Sequence, residues 1–173
     1  MTLLRHAKSG GDDLAMRDFD RALNDKGRRA AALMGRHIAV LGLGFDRVVA
    51  SPARRVIETL AEVEAGCGRS LSPVWDRRLY LASAATLLEV VNEQDETDAR
   101  VLLVGHNPGL QDLVLDLAAP GDLRDEVERK YPTASLAEMT LEGRWADLGR
   151  GGAMPTRFVR PRDLDPSLGP DYA

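Results

Sequence analysis

Arg100-Val101-Leu102-Leu103-Val104 runs directly into Gly105-His106-Asn107-Pro108-Gly109 and on to Leu110–Leu117. The aliphatic run predicts a strand buried on both faces, as in a parallel sheet covered by helices. Gly105 to Gly109 breaks that strand, and the residues beyond return to helical spacing. A buried strand that ends in a turn and a helix is a unit of an α/β layer fold. Working outward, the same alternation recurs. Thr2-Leu3-Leu4 reads as a strand, followed by a Gly- and Asp-rich loop from Ser9 to about Leu23. Asn24 is the expected N-cap of a helix carrying Ala31, Met34 and Ile38, stopped by Gly42 and Gly44. Phe45 to Ala50 is a second strand, and Ser51-Pro52 opens a helix through Val56, Leu60 and Val63 that ends near Gly66. A weaker strand is expected at Pro73–Trp75 and a helix at Ala84–Val91. After Gly121, a charged stretch leads to late strands over Ser135–Leu141 and Thr156–Val159. The expected architecture is a single-domain α/β three-layer sandwich over residues 1–164, a mostly parallel sheet with helices on both faces. Residues 165–173, within a proline-containing end, read as a surface tail.

The chain has 173 residues, of which 44% are hydrophobic and only 5% aromatic, so the core is expected to be aliphatic. A chain of this length buries enough surface to fold without disulfides or a structural metal. The 23 basic and 27 acidic residues give a net charge of −4, which argues against a nucleic-acid or membrane-surface binder. The single cysteine, Cys67, excludes an intrachain disulfide framework and fits a reducing, cytoplasmic setting. No apolar run is long enough to span a bilayer, and Arg5, His6 and Lys8 follow the first apolar residues too closely for a signal peptide.

Three stretches share one structural address. Arg5-His6 follows the first strand, Ser51–Arg55 the second, and His106 the Val101–Val104 strand. The carboxyl ends of parallel strands face a common crevice, where ligands bind. Two of the three histidines therefore converge with several arginines, while His37 falls mid-helix in a surface or packing position. Imidazoles interleaved with guanidiniums make a poor metal site, because arginine repels cations. They make a good cradle for a tetrahedral dianion, which arginine grips with paired hydrogen bonds. A neutral histidine in such a cradle can attack phosphorus, and a second can stabilise charge on the phosphoryl oxygens.

These residues carry a resemblance. Leu3-Leu4-Arg5-His6-Ala7-Lys8-Ser9 resembles the Arg-His-Gly signature of the histidine phosphatase (phosphoglycerate mutase-like) superfamily, with Ala7 in place of glycine. Ser51-Pro52-Ala53-Arg54-Arg55-Val56-Ile57-Glu58-Thr59 resembles its Ser-Pro-x-x-Arg-x-x-x-Thr helix start. Val104-Gly105-His106-Asn107-Pro108-Gly109 is similar to the strand end that bears its second histidine. The Asp18-Phe19-Asp20-Arg21 loop and the late Phe158–Leu164 segment are similar to those of the small SixA-type phosphohistidine phosphatases. The likeness spans residues 1 to about 164.

The resemblance implies that His6 is the nucleophile and that Arg5, Arg55 and His106 surround the phosphoryl group, with neither metal nor cofactor. The arginine register selects Arg55 over Arg54, which is expected on the solvated face. Ser9, Asp12 and Asn107 are expected at the substrate pocket, and the Ser51 hydroxyl as a helix cap. Larger relatives carry a glutamate that protonates the leaving group; here its address is Ala82-Ser83-Ala84, with Asp76 and Glu89 off register. Asp12, Asp13, Asp18 and Asp20 are the candidate acids, and residues 10–23 form either a short open loop or a lid. A positioned acid contributes about 10²–10⁴-fold to cleavage, and an imidazole leaving group depends on one less than an alkoxide does. The missing glutamate therefore favours protein phosphohistidine as the substrate. The alternatives are a small phosphomonoester such as a sugar phosphate, and a phosphoprotein-binding module without turnover.

Overall fold

Leu3 and Leu4 are neighbours in sequence and belong to opposite cores. A computed structural model of the chain describes residues 1–10 and 16–169. Its elements are β1 (Thr2–Arg5), α1 (Asp25–Val40), β2 (Arg47–Ala50), α2 (Arg54–Cys67), β3 (Val74–Trp75) and α3 (Ala84–Asn92). They continue with β4 (Val101–Gly105), α4 (Gly109–Leu117), α5 (Asp122–Arg129), β5 (Leu136–Leu141), β6 (Ala153–Val159) and α6 (Pro161–Leu164). The six strands form one sheet in the order β3-β2-β4-β1-β5-β6. The β3, β2, β4 and β1 strands are mutually parallel, and β5 and β6 add an antiparallel wing.

Side chains alternate across each strand, and this sets the layers. Leu3, Val49, Val101 and Leu103 face Leu87, Val90, Leu110 and Leu113 of α3 and α4. Leu4, Val48, Leu102 and Val104 face Met34, Ile38, Val56 and Leu60 of α1 and α2. Both faces of the sheet are thus covered, and all five residues of β4 are buried. This is the α/β three-layer architecture expected from the sequence.

Several boundaries differ from the expectation for local reasons. Asn24 caps α1 as expected, its side chain accepting from the Gly27 N–H at 2.8 Å. The second helix begins at Arg54 with Ala53 as its cap, rather than at Pro52. Gly66 does not end that helix; it lies where a Cβ would run into the Ala32 carbonyl of α1, and Gly68, at φ +68°, makes the stop. The charged stretch after Gly121 contains α5, whose apolar face is narrow: Val127 is buried and Leu123 packs one turn before it, among charged residues. The last strand starts at Ala153 rather than Thr156. Just before the expected tail, Pro161 is buried and Leu164 packs on the α1–α2 core, and within the tail Leu168 packs on the same core. Lys26 Nζ also donates to the Gly169 carbonyl at 2.6 Å. Among the described residues no helix is long and apolar enough to cross a membrane.

Candidate active site

The ends of the three adjacent strands β2, β4 and β1 are tied together before any side chain is considered. Ala50 pairs with Val104, and Arg5 with Gly105. Beyond the last pairs, the His6 N–H donates to the Gly105 carbonyl at 3.0 Å and the Ser51 N–H to the Val104 carbonyl at 3.0 Å. His6, Ser51 and His106 therefore leave the sheet side by side. The chain after His6 is held from α2: the Ala7 N–H donates to Thr59 Oγ1 at 2.9 Å, and that hydroxyl donates to the Arg55 carbonyl at 2.5 Å. The serine-to-threonine motif thus fixes the loop that follows His6 as well as the arginine.

The His6 and His106 rings are buried, with centroids 5.1 Å apart. His6 Nδ1 lies 2.7 Å from the Ala7 carbonyl, which can only accept, so Nδ1 carries the proton and Nε2 the lone pair. Burial, outweighing that hydrogen bond, and then the charges of His106, Arg55 and Arg5 push its pKa down to about 3. At His106, an Arg55 terminal nitrogen donates to Nδ1 at 3.2 Å, which leaves Nε2–H to donate to Ser51 Oγ at 2.7 Å. Burial first and the Arg55 charge second lower its pKa to about 4. Both rings are neutral at physiological pH.

Arg55 is 4% exposed, and its two terminal nitrogens also donate to the Asp18 carbonyl at 2.7 Å and the Asp18 carboxylate at 3.0 Å. Tyr80 completes the cluster. Its hydroxyl donates to the Asp18 carboxylate at 2.7 Å, and its ring stands edge-on to His106 with centroids 5.4 Å apart. The Tyr80 hydrogen bond, ahead of those from Arg55 and Arg21, keeps the Asp18 carboxyl below its ordinary pKa. Arg5 donates to the Tyr131 carbonyl at 2.7 Å, and its buried Nε has no hydrogen-bond partner among the described residues. Burial lowers the Arg5 pKa, yet a guanidinium stays charged at any physiological pH.

His6, Arg5, Arg55 and His106 are therefore brought together, as the strand-end argument expected. The remaining candidates scatter. Asn107 donates through Nδ2 to Gln111 Oε1 and to the Tyr131 carbonyl, both at 3.1 Å, which pins the turn before Pro108. Its buried Oδ1 has no partner among the described residues. The backbone of Ser9 bridges to Leu23. Asp12 and Asp13 lie outside the described residues, so residues 10–23 are described only in part. Asp20 pairs with Arg17 on the surface, which leaves Asp18 as the described loop carboxylate in contact with the cluster. Arg54 lies on the solvated face and binds Glu58 at 2.8 Å. The Ser51 hydroxyl accepts from the Ala53 N–H at 3.3 Å but also holds His106, a role its local sequence could not show. Nothing in the local sequence singles out Tyr80, which sits in an irregular segment without periodicity. Among the described residues no group of three or more His, Cys, Asp or Glu side chains is arranged to hold a metal ion.

The family model of the histidine phosphatase superfamily (branch 1) matches residues 1–80. An uncharacterized protein of Mycobacterium tuberculosis is 32% identical over 163 residues, covering 92% of this chain and 100% of its own length. Among solved structures, a Nakamurella multipartitia protein assigned as phosphohistidine phosphatase SixA superposes with a TM-score of 0.80 at 31% identity. That match covers 92% of this chain and 95% of the other. The protein histidine phosphatase SixA complexed with tungstate gives 0.74 at 25% identity, covering 95% and 98%. The chain belongs to the histidine phosphatase superfamily. Within it, these solved neighbours are of the SixA kind, and the fold is the phosphoglycerate mutase-like one.

Proposed function

We propose that the protein is a phosphatase that works through a phosphohistidine on His6 and acts on protein phosphohistidine. One observation carries the reading. His6 is buried and neutral, and its Nδ1–H is committed to the Ala7 carbonyl, so its Nε2 lone pair is available within a cluster that includes two guanidiniums. In the first step Nε2 forms a bond to phosphorus as the bond to the leaving nitrogen breaks. Arg5 and Arg55 neutralise the phosphoryl oxygens, and His106 holds the Arg55 guanidinium and Ser51 in place. In the second step water attacks phosphorus, the Nε2–P bond breaks, and inorganic phosphate leaves.

Asp18 is the carboxylate best placed to protonate a leaving group. In the free protein its hydrogen-bond donors keep it ionised. A phosphoryl dianion arriving at Arg55 competes for that guanidinium and adds negative charge nearby, and both effects raise a carboxyl pKa. The acid is thus made when substrate binds. The absence of a glutamate at Ala82–Ala84 and the SixA neighbours support an N–P bond over a sugar phosphate ester. The test is to follow a phosphohistidine-bearing protein and a panel of phosphorylated metabolites side by side, with mass spectrometry of quenched reactions. We expect an adduct of about 80 daltons (the net addition of HPO₃) on His6, higher kcat/KM for the protein, and no turnover by His6→Ala. An adduct on another side chain overturns the mechanism, and a metabolite with the higher kcat/KM overturns the substrate class.

A further inference from the structure

We propose that a cationic groove adjoining the phosphoryl pocket seats acidic side chains that flank the phosphorylated residue of a protein substrate; this rests on the reading of the preceding subsection. The groove has a volume of about 430 Å³ and shares Arg5 with the catalytic cluster, but His6, Arg55 and His106 are not among its walls. Lys8, Lys26, Lys130, Arg160 and Arg162 supply the rest of its charge, from four separate stretches of chain. Among the described residues no carboxylate lines it. A concentration of one charge sign around a cleft, on a chain whose net charge is −4, focuses the field on a negative ligand.

The kind of cation indicates the kind of anion. Arg160, whose planar fork suits a single phosphate, is already engaged by Asp163 at 2.9 Å and Glu126 at 3.3 Å. Lys26 donates to the Gly169 carbonyl. Lys130 and Arg162 are exposed and form no ion pair among the described residues. What remains is the Lys130 ammonium and the Arg162 guanidinium on long exposed stems lining the groove, without a preorganised clamp. Such an arrangement tolerates carboxylates at variable positions, and it gives electrostatic complementarity rather than rigid recognition of one small molecule. Arg5 links the two regions: one of its nitrogens is held by the Tyr131 carbonyl while its charge serves both. A phosphorylated side chain in the pocket therefore places its acidic neighbours over Lys130 and Arg162.

The test uses two synthetic peptides that each carry one chemically phosphorylated histidine, flanked either by glutamates or by glutamines, with p-nitrophenyl phosphate as a substrate lacking flanking charge. For the full chain we expect kcat/KM for the glutamate peptide to exceed that for the glutamine peptide by about tenfold at low salt, the advantage shrinking as ionic strength rises. Lys130→Glu/Arg162→Glu should erase or invert this preference, and Lys130→Gln/Arg162→Gln should leave an intermediate one. Both variants should keep p-nitrophenyl phosphate turnover within about twofold, since exposed substitutions seldom disturb a fold. Equal rates on the two peptides, or a preference that survives charge reversal, overturn the groove assignment and leave the phosphatase reading intact. Failure to dephosphorylate either peptide, with p-nitrophenyl phosphate still turned over through His6, overturns the phosphohistidine reading itself. A sugar bisphosphate favoured over its monophosphate by a margin that charge reversal removes would reassign the groove to small molecules.

Discussion

The parallel half of the sheet and its antiparallel wing use their cations in opposite ways. At the ends of β1, β2 and β4, Arg55 is buried and every contact is specified: Asp18 and His106 hold its terminal nitrogens, and α2 positions its backbone. On the wing side, around α6 and the turn before β5, Arg160 is held by Asp163 and Glu126, whereas Lys130 and Arg162 stand on exposed stems and form no ion pair among the described residues. Buried charge held by neighbours is preorganised for a transition state, where each donor acts in low dielectric. Exposed charge is screened and acts on encounter and choice of partner. The contrast is tested by removing cations one at a time.

The largest effect among these arginines is expected at Arg55. Arg55→Ala removes a preorganised charged donor and also leaves His106 Nδ1 and the Asp18 carboxylate without their shared partner. A loss of about 3–4 kcal/mol in the transition state is expected, or roughly 10²–10³-fold in kcat. Steady-state kinetics on p-nitrophenyl phosphate measure it directly. A variant within about threefold of the parent would place Arg55 with the steering cations and abolish the distinction.

Asp18→Asn sharpens the comparison from the other side. The amide oxygen still accepts from Arg55 and Tyr80, so the geometry is retained while the proton is lost. If Asp18 acts as the acid, the variant should lose about tenfold or more on an alkyl phosphate, whose alkoxide must be protonated as it leaves. It should lose less than about threefold on p-nitrophenyl phosphate or phosphohistidine, whose leaving groups need that proton less. A uniform loss across leaving groups would instead make Asp18 a positioning residue for Arg55.

How much of this was legible in the chain follows the same division. Arg5, His6, Arg55 and His106 could be read because each directly follows a strand or falls at a fixed step into a helix, and a parallel sheet turns that local address into a shared one. The partner of His106 could not. Ser51 reaches it only because β2 and β4 are neighbours, a pairing across 55 positions that no local pattern encodes. Tyr80 and the Tyr131 carbonyl join the site through irregular backbone, where side-chain periodicity carries no information. The charged helix α5 is hard to read because its apolar stripe is only Leu123 and Val127, one turn apart among charged residues. The cationic groove was the least visible feature, since its charges lie in four stretches scattered between Lys8 and Arg162 and meet only in the folded chain.

The smallest effect should come from the residue next to Arg55. Arg54 begins the same helix, carries the same charge and lies one position away in the same motif. A one-residue step along a helix turns the side chain by about 100°, enough to move it from the pocket to solvent. There Arg54 is 54% exposed and shares Glu58 with Arg28 and the Leu23 N–H. Glu58 keeps those other two donors when Arg54 is removed. An exposed i, i+4 pair contributes about 0.3–0.5 kcal/mol, so Arg54→Ala should lower stability by no more than that in chemical denaturation and leave kcat within about twofold. A loss approaching that of Arg55→Ala would mean that exposure at this rim does not exempt a cation from the chemistry. The division between buried and exposed charge would then have to be redrawn around Arg54.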